Sequence, residues 1–273
     1  MNNSELIVRT LTGIFIVGIT LAAVIFSPYT YLLWLGLITF FGTREYLQLE
    51  SSAFTPAQSI LIPFILTLII GGAGYIMIQN LETILLIAIV PSIMACIIIS
   101  QFLKSQTPPE LVQKGKAYFS AAIYIGLPML SGCLFLTPDY TFYYVLVPIL
   151  LIWINDIGAY LIGSKWGTRK IMPLISPGKS LQGTLGGAAI TLLLSYILMR
   201  LWPELPKGYV LTLGLVTPLF ALGGDLWESA LKRNAGVKDS GRIFPGHGGV
   251  LDRYDSLLFV MPVAALAYFI FVI

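Results

Sequence analysis

Between Gly223 and Asp255 the chain concentrates most of the side chains able to do chemistry: GGDLWESALKRNAGVKDSGRIFPGHGGVLDRYD. Asp225 falls inside an apolar run, and a carboxylate at membrane depth is costly enough to mark a functional site by default. Asp225, Glu228, Ser229 and Lys232 occur at i, i+3, i+4 and i+7, the spacing of one helix face. Beyond them, cations, acids and glycines alternate: Arg233, Lys238, Asp239, Arg242, Gly246, Gly248, Gly249, Asp252, Arg253 and Asp255. Glycines expose backbone N–H groups that cradle phosphate oxygens. Lys and Arg neutralise those oxygens, and Arg does so with two parallel bonds. Carboxylates hold Mg²⁺, which keeps substrate phosphates in its shell. Together these types suit a nucleoside triphosphate with Mg²⁺. An ordinary basic loop would explain the cations but not the acids or glycines. His247, the single histidine, stands between glycine turns where it could donate to a phosphate or move a proton. Without cysteine partners it does not suggest a zinc site.

A second constellation lies upstream. Asn155-Asp156 interrupts an apolar run eight residues before Ser164, so Asp156 sits about 12 Å below that helix end at 1.5 Å per residue. SPGKSLQGTLGG comes next, from Ser176 to Gly187. Gly178-Lys179-Ser180 resembles the end of a phosphate-binding P-loop, but position 173 is proline where that motif needs glycine, so the P-loop reading is rejected. Lys179, the Ser180 and Thr184 hydroxyls and the donors of a helix start still suit an anion. Gly183, Gly186 and Gly187 suit close helix packing instead.

The elements that must position these residues are membrane helices. Of 273 residues, 57% are hydrophobic and 11% charged, with mean hydropathy +0.86. A soluble domain carries about 25% charged residues, so this chain cannot cover a water-facing surface. Apolar runs near the roughly 20 residues needed per crossing recur throughout. The expected fold is an all-α, polytopic integral membrane protein of about nine transmembrane helices, at residues 10–26, 30–43, 59–79, 83–103, 117–136, 142–163, 184–202, 209–231 and 256–273. The second run is the shortest. No A-x-A-like cleavage site succeeds the first run, which is read as a retained span. Cys96 and Cys133 are read as small buried hydrophobes. The organisation expected is a scaffold over residues 1–116 and a catalytic region over 117–273, with long loops at 164–183 and 232–255.

Charge placement sets the expected orientation. Alternate flanks of nine spans gather every Lys and Arg on one side except Arg200 and Lys207. Cytoplasmic loops carry such an excess, so the amino terminus and long loops are expected on the cytoplasmic side of the cell inner membrane. The net charge of +3 is modest, and no nucleic-acid partner is expected.

The stretch Ser229-Ala-Leu-Lys232-Arg233, Lys238-Asp239-Ser-Gly241, Phe244-Pro-Gly-His247-Gly248-Gly249-Val-Leu-Asp252-Arg253-Tyr254-Asp255 resembles the signature of the phosphatidate cytidylyltransferase, or CDP-diacylglycerol synthase, family. Asn155-Asp156 and Ser176-Pro-Gly-Lys179-Ser180 fall where that family has its other elements, and the layout is similar along most of the chain. Tyr254 replaces a usual aliphatic residue, and Gln182 stands where many members have Glu. The resemblance implies that CTP and phosphatidic acid give CDP-diacylglycerol and pyrophosphate. On this reading Asp225, Asp252, Lys232 and His247 are catalytic. Asn155, Lys179, Ser180, Ser229, Arg233, Lys238, Asp239, Gly248, Gly249, Arg253 and Asp255 bind substrate. Asp225, Asp252 and Asp156 hold one or two Mg²⁺ ions. A homodimer is a family-level expectation. Rival readings are a cytidylyltransferase for another lipid phosphate, an ion-coupled transporter using Asp156 and Asp225, and a purely structural membrane subunit.

Overall fold

The computed structural model describes residues 3–50, 54–79 and 109–273, excluding the side chains of 3, 4 and 109–113. The expected span at 83–103, Cys96 and most of the 104–116 linker lie outside the described residues. Helices dominate: α1 (Asn3–Phe26), α2 (Pro28–Glu50), α3 (Gln58–Gln79), α4 (Pro109–Ala121), α5 (Leu127–Gly132), α6 (Tyr143–Trp166), α7 (Leu181–Leu201), α8 (Lys207–Asn234) and α9 (Leu251–Phe271). A π-turn at Ala122–Gly126 joins α4 to α5. Among the described residues seven helical stretches are long and apolar enough to cross a bilayer: Glu5–Phe26, Gln58–Gln79, Lys114–Phe135, Tyr143–Trp166, Leu181–Leu201, Lys207–Asn234 and Leu251–Phe271. The all-α membrane class therefore holds. The expected second span lies within α2, which is 23 residues long but is not one of the seven, because Thr30, Thr39, Thr43, Arg44, Glu45 and Gln48 dilute its apolar run.

One departure from all-helix is a hairpin inside the expected 164–183 loop. Strand β1 (Lys170–Met172) pairs antiparallel with β2 (Ser176–Ser180), with Lys170 opposite Ser180 and Met172 opposite Ser176. The strands are too short, and β2 too rich in Pro and Gly, to show a two-residue alternation.

Contacts divide the chain into two compact units. One comprises residues 1–140 with 239–254; the other comprises 141–238 with 255–273. Within the first unit, residues 239–254 are tied by hydrogen bonds to Glu45 of α2.

In the first unit, aromatic side chains fill the core. Tyr31 is fully buried, donates to the Gly132 carbonyl at 3.1 Å and stacks on Tyr140. Trp34 meets Tyr254 edge-on at 5.5 Å, and the Tyr254 hydroxyl pairs with Thr20 at 3.1 Å. The aromatic departure at position 254 thus packs the start of α9 against α1 and α2. Cys133 is buried, as expected.

In the second unit, α6 and α7 approach backbone to backbone. A Cβ at Gly187 would stand 2.7 Å from the Asn155 carbonyl, and one at Gly183 would stand 2.7 Å from the Ala159 carbonyl. This is the small-residue packing expected for these glycines. Tyr209 of α8 donates to the Tyr144 carbonyl of α6 at 2.6 Å. Ser256 of α9 donates to the Ala221 carbonyl of α8 at 3.3 Å. Much of the outward surface of α1, α3 and α7 is exposed Leu, Ile and Phe, which lipid rather than water would cover.

Candidate active site

The second unit gathers one group of charged residues. Gly187 lets α6 and α7 close up beside Asn155, which is 6% exposed and extends its amide to Asp156 Oδ1 at 3.4 Å. The hairpin delivers Lys179, whose ammonium forms an ion pair with the Asp225 carboxylate of α8. Ser229, one turn further along α8, donates to Asp225 Oδ1 at 3.2 Å. Asp255 of α9 lies within electrostatic range of Asp225, Asp156 and Lys179, and accepts from the Ser256 amide at 2.6 Å. Asp255 thus shares an electrostatic neighbourhood with the Lys179–Asp225 pair and with Asp156. Glu228, 1% exposed, pairs with Lys232 at 2.5 Å. The face inferred from sequence spacing exists and carries two separate pairs, Asp225–Ser229 and Glu228–Lys232.

No three His, Cys, Asp or Glu side chains among the described residues stand in ligand geometry around one point. The carboxylates share an electrostatic neighbourhood without forming an all-protein cage. That donor set fits Mg²⁺, which is commonly held by one or two carboxylates with substrate phosphates and water completing its shell.

The hairpin is braced for its task. Gln182 accepts from the Arg169 amide at 3.2 Å and donates to Thr168 Oγ1 at 2.6 Å. Ser180 has extended backbone and its hydroxyl accepts from the Gly183 amide at 3.2 Å. It is the N-cap of α7. The sequence expectation is that Ser180 binds substrate; here its hydroxyl oxygen is 3.2 Å from a helix donor and the residue is 3% exposed, so it is engaged in capping.

The first unit holds the glycine-rich loop. Phe244 to His247 form a type II turn. The His247 amide donates to the Phe244 carbonyl at 2.9 Å, Pro245 takes the second position, and Gly246 supplies the positive φ of the third, at 72°. Gly248 also has positive φ, 79°. Two carboxylates organise the segment around residues 240–251. Asp252 Oδ2 accepts from the Ser240 amide at 2.8 Å, the Ser240 hydroxyl at 2.9 Å and the Gly249 amide at 2.7 Å. Glu45 accepts from the Val250 and Leu251 amides, each at 2.9 Å, and from the Ser240 hydroxyl at 3.0 Å.

These bonds give the glycines and Asp252 a structural task beside the expected one. The Gly249 amide is not presented to a phosphate; it is spent on Asp252, and Gly249 lacks a side chain because Glu45 occupies that space. Gly248 similarly gives its Cβ position to the Asp252 carboxylate. Asp252, expected as a metal ligand, has one oxygen fully engaged as a brace for its own loop.

Arg233, Lys238, Asp239 and Arg253 are exposed, and Arg233 donates to the Val237 carbonyl at 3.1 Å past the end of α8. His247 sits against Gly13 of α1. Burial, and then the Arg253 and Arg9 guanidiniums, push its imidazole below the ordinary 6.5, with the Pro245 carbonyl acting the other way. Sequence reasoning missed Glu45, whose partners are mainly backbone amides some 205 residues away. The signal present was an acid at the end of an apolar run, in Thr43-Arg44-Glu45.

Residues 7–271 match the sequence profile of the cytidylyltransferase family. The chain is 32% identical over 263 residues to a protein named phosphatidate cytidylyltransferase from Staphylococcus saprophyticus, covering 93% of this chain and 96% of that one. A protein of the same name from Staphylococcus aureus strain COL is 32% identical over 262 residues, with the same coverage. One from Bacillus subtilis strain 168 is 47% identical over 145 residues, covering 52% of this chain and 54% of its own length. With its profile match running almost from end to end, this chain belongs to the cytidylyltransferase family.

Proposed function

We propose that this chain transfers the cytidylyl group of CTP to phosphatidate, giving CDP-diacylglycerol and pyrophosphate, with the carboxylate–lysine group of the second unit as its working centre. A phosphate oxygen of the lipid forms a bond to the α-phosphorus of CTP. The bond from that phosphorus to the bridging oxygen breaks, and pyrophosphate leaves with the electron pair. Both reactants are anions, so the main requirements are charge neutralisation and in-line placement. A lipid phosphate monoester is largely ionised near pH 7, as its second pKa of about 6 implies, so no general base is required.

The observation that carries this reading is the ion pair between Lys179 and Asp225, with Asp255 in electrostatic range of both and of Asp156. It supplies a cation for phosphate and carboxylates for a metal in one place. Asp225 and Asp255 would hold Mg²⁺, with Asp156 as a third ligand or a distant charge; the ion would supply positive charge to the triphosphate. Lys179, Lys232, Arg233, Lys238 and Arg253 neutralise phosphate groups, and His247 donates to one of them. Asn155 and Ser229 hold Asp156 and Asp225 in orientation.

The membrane arrangement belongs to the same proposal. The chain crosses the inner membrane nine times, counting α2 and residues 83–103, with the long basic loops and the working centre toward the cytoplasm. At 23 residues and 1.5 Å per residue, α2 reaches about 34 Å, enough for a hydrocarbon core of about 30 Å. The sorting of Lys and Arg supports the orientation. The assembly proposed is a homodimer, which cross-linking in detergent tests.

Purified protein given CTP, phosphatidate and Mg²⁺ is expected to release pyrophosphate and form CDP-diacylglycerol. Turnover of CTP without the lipid, or none under any divalent metal, contradicts the proposal.

A further inference from the structure

Glu45 has no place in the reaction as written, yet both of its carboxylate oxygens are engaged by the loop of the first unit. Oε1 accepts from the Val250 amide and Oε2 from the Leu251 amide and the Ser240 hydroxyl. The residue is 3% exposed. At both Gly241 and Gly249 an added Cβ would collide with its carboxylate, so the loop backbone is shaped around this one group. Val250 and Leu251 stand at the beginning of α9 (Leu251–Phe271). Their N–H groups are the donors that a helix start leaves unpaired, the kind of place where a phosphate or other anion ordinarily binds. Here an acid from another helix fills it.

We propose that Glu45 is a positioning residue for the cytidylyl transfer: a built-in anion that occupies the backbone nest of residues 240–251 and thereby fixes where the loop's His247 and Arg253 meet substrate phosphate. The chemistry has two consequences. The nest is closed to the nucleotide, so side-chain cations rather than loop amides bind its phosphates. The loop also keeps its shape without substrate, because its ligand is part of the chain. This inference rests on the function proposed above.

The test uses the full chain in detergent, after the unaltered protein has shown lipid-dependent pyrophosphate release. Failure there strikes the proposed function; the variants are read only against it. Glu45→Gln keeps the shape but replaces one acceptor with a donor facing donors. Its kcat/KM for CTP is expected to fall about 10- to 100-fold, the range for partners that orient a working group. Amide exchange in a peptide covering residues 240–251 is expected to quicken at the same time. In Glu45→Ala, sodium formate is expected to restore several-fold of the lost rate while leaving the unaltered protein unchanged, since formate can refill the nest. General destabilisation would not respond to formate in this way. Unaltered kinetics in Glu45→Gln, a lower KM for CTP in Glu45→Ala, or no formate effect on folded Glu45→Ala would each overturn the proposal. If neither variant folds, Ser240→Ala decides: it removes one donor to Glu45, and normal exchange at Val250 and Leu251 together with normal kinetics would refute the role.

Discussion

Two groups of acids in this chain solve opposite problems. In the first unit, Glu45 and Asp252 are met by backbone amides and the Ser240 hydroxyl. In the second, Asp225 pairs with the Lys179 ammonium, and Asp255 lies in electrostatic range of both and of Asp156. A hydrogen bond to a charged group contributes about 1.5–3 kcal/mol, so two such bonds from amides to Glu45, with a share of the one Ser240 hydroxyl proton that also faces Asp252, offset part of the several kcal/mol lost on burying a charge. The first pair is therefore met mostly by donors from the loop. The second group gathers several carboxylates near one ammonium, a donor set that suits a further cation. Similar residues thus serve as a brace in one place and as an open site in the other, and what separates them is the inventory of donors rather than the residue type.

The sharpest way to break this comparison is to neutralise one acid of each kind. Asp225→Asn is expected to lower the rate about 10²-fold or more, comparable to removing a preorganised charge-stabilising group, while the protein still folds. Asn keeps an oxygen for the Ser229 hydroxyl, and the Lys179 ammonium it leaves is partly exposed. Steady-state rates with size-exclusion profiles check both halves. Lys179→Ala comes next. Losing a phosphate cation is expected to raise KM for CTP by roughly tenfold, on the order of one charge-assisted hydrogen bond, and raised Mg²⁺ is not expected to rescue it.

Asp252→Asn probes the brace. Asn places an NH₂ among the Ser240 and Gly249 donors, which costs about 1–3 kcal/mol locally. Faster proteolysis or amide exchange in residues 239–254 is expected, with a smaller loss of rate than in Asp225→Asn. An equal or larger loss, with an unchanged loop, would return Asp252 to the metal site.

His247 gives the smallest effect. Its pKa lies below 6.5 because of burial and the neighbouring Arg253 and Arg9. A depressed pKa means that the folded state resists protonation. The stability this protects is present above pH 6.5 and is lost as pH falls through the folded value. His247→Gln is therefore expected to flatten the acid limb of thermal stability below pH 6.5. A steeper acid limb in the variant would contradict this.

The parts of the molecule that sequence made legible are those where side chains keep a period. Asp225, Glu228, Ser229 and Lys232 do share a helix face, and Gly183 and Gly187 do admit a neighbouring backbone. The parts that stayed hidden depend on the backbone. Ser180 looked like a phosphate contact because a capping serine and a ligand serine at a helix start use the same atom. The Gly248-Gly249 pair looked like a phosphate cradle because glycine reports close approach without saying which anion approaches. Glu45 left almost no trace, since it reaches mostly amides, which nearly every residue owns. The hairpin was hidden by its shortness, and α2 by the polar residues that its buried face accommodates, among them Thr39, Thr43 and Glu45.

If the carboxylate–lysine group of the second unit carries the transfer, its signature is lipid-dependent pyrophosphate release, followed across a Mg²⁺ titration in the unaltered protein and in Asp225→Asn. Release is expected to require phosphatidate and a divalent metal. In the variant it is expected to fall about 10²-fold, as for loss of a preorganised charge, with more Mg²⁺ needed for half-maximal rate. A folded Asp225→Asn protein with the normal rate and the normal Mg²⁺ requirement would contradict that role.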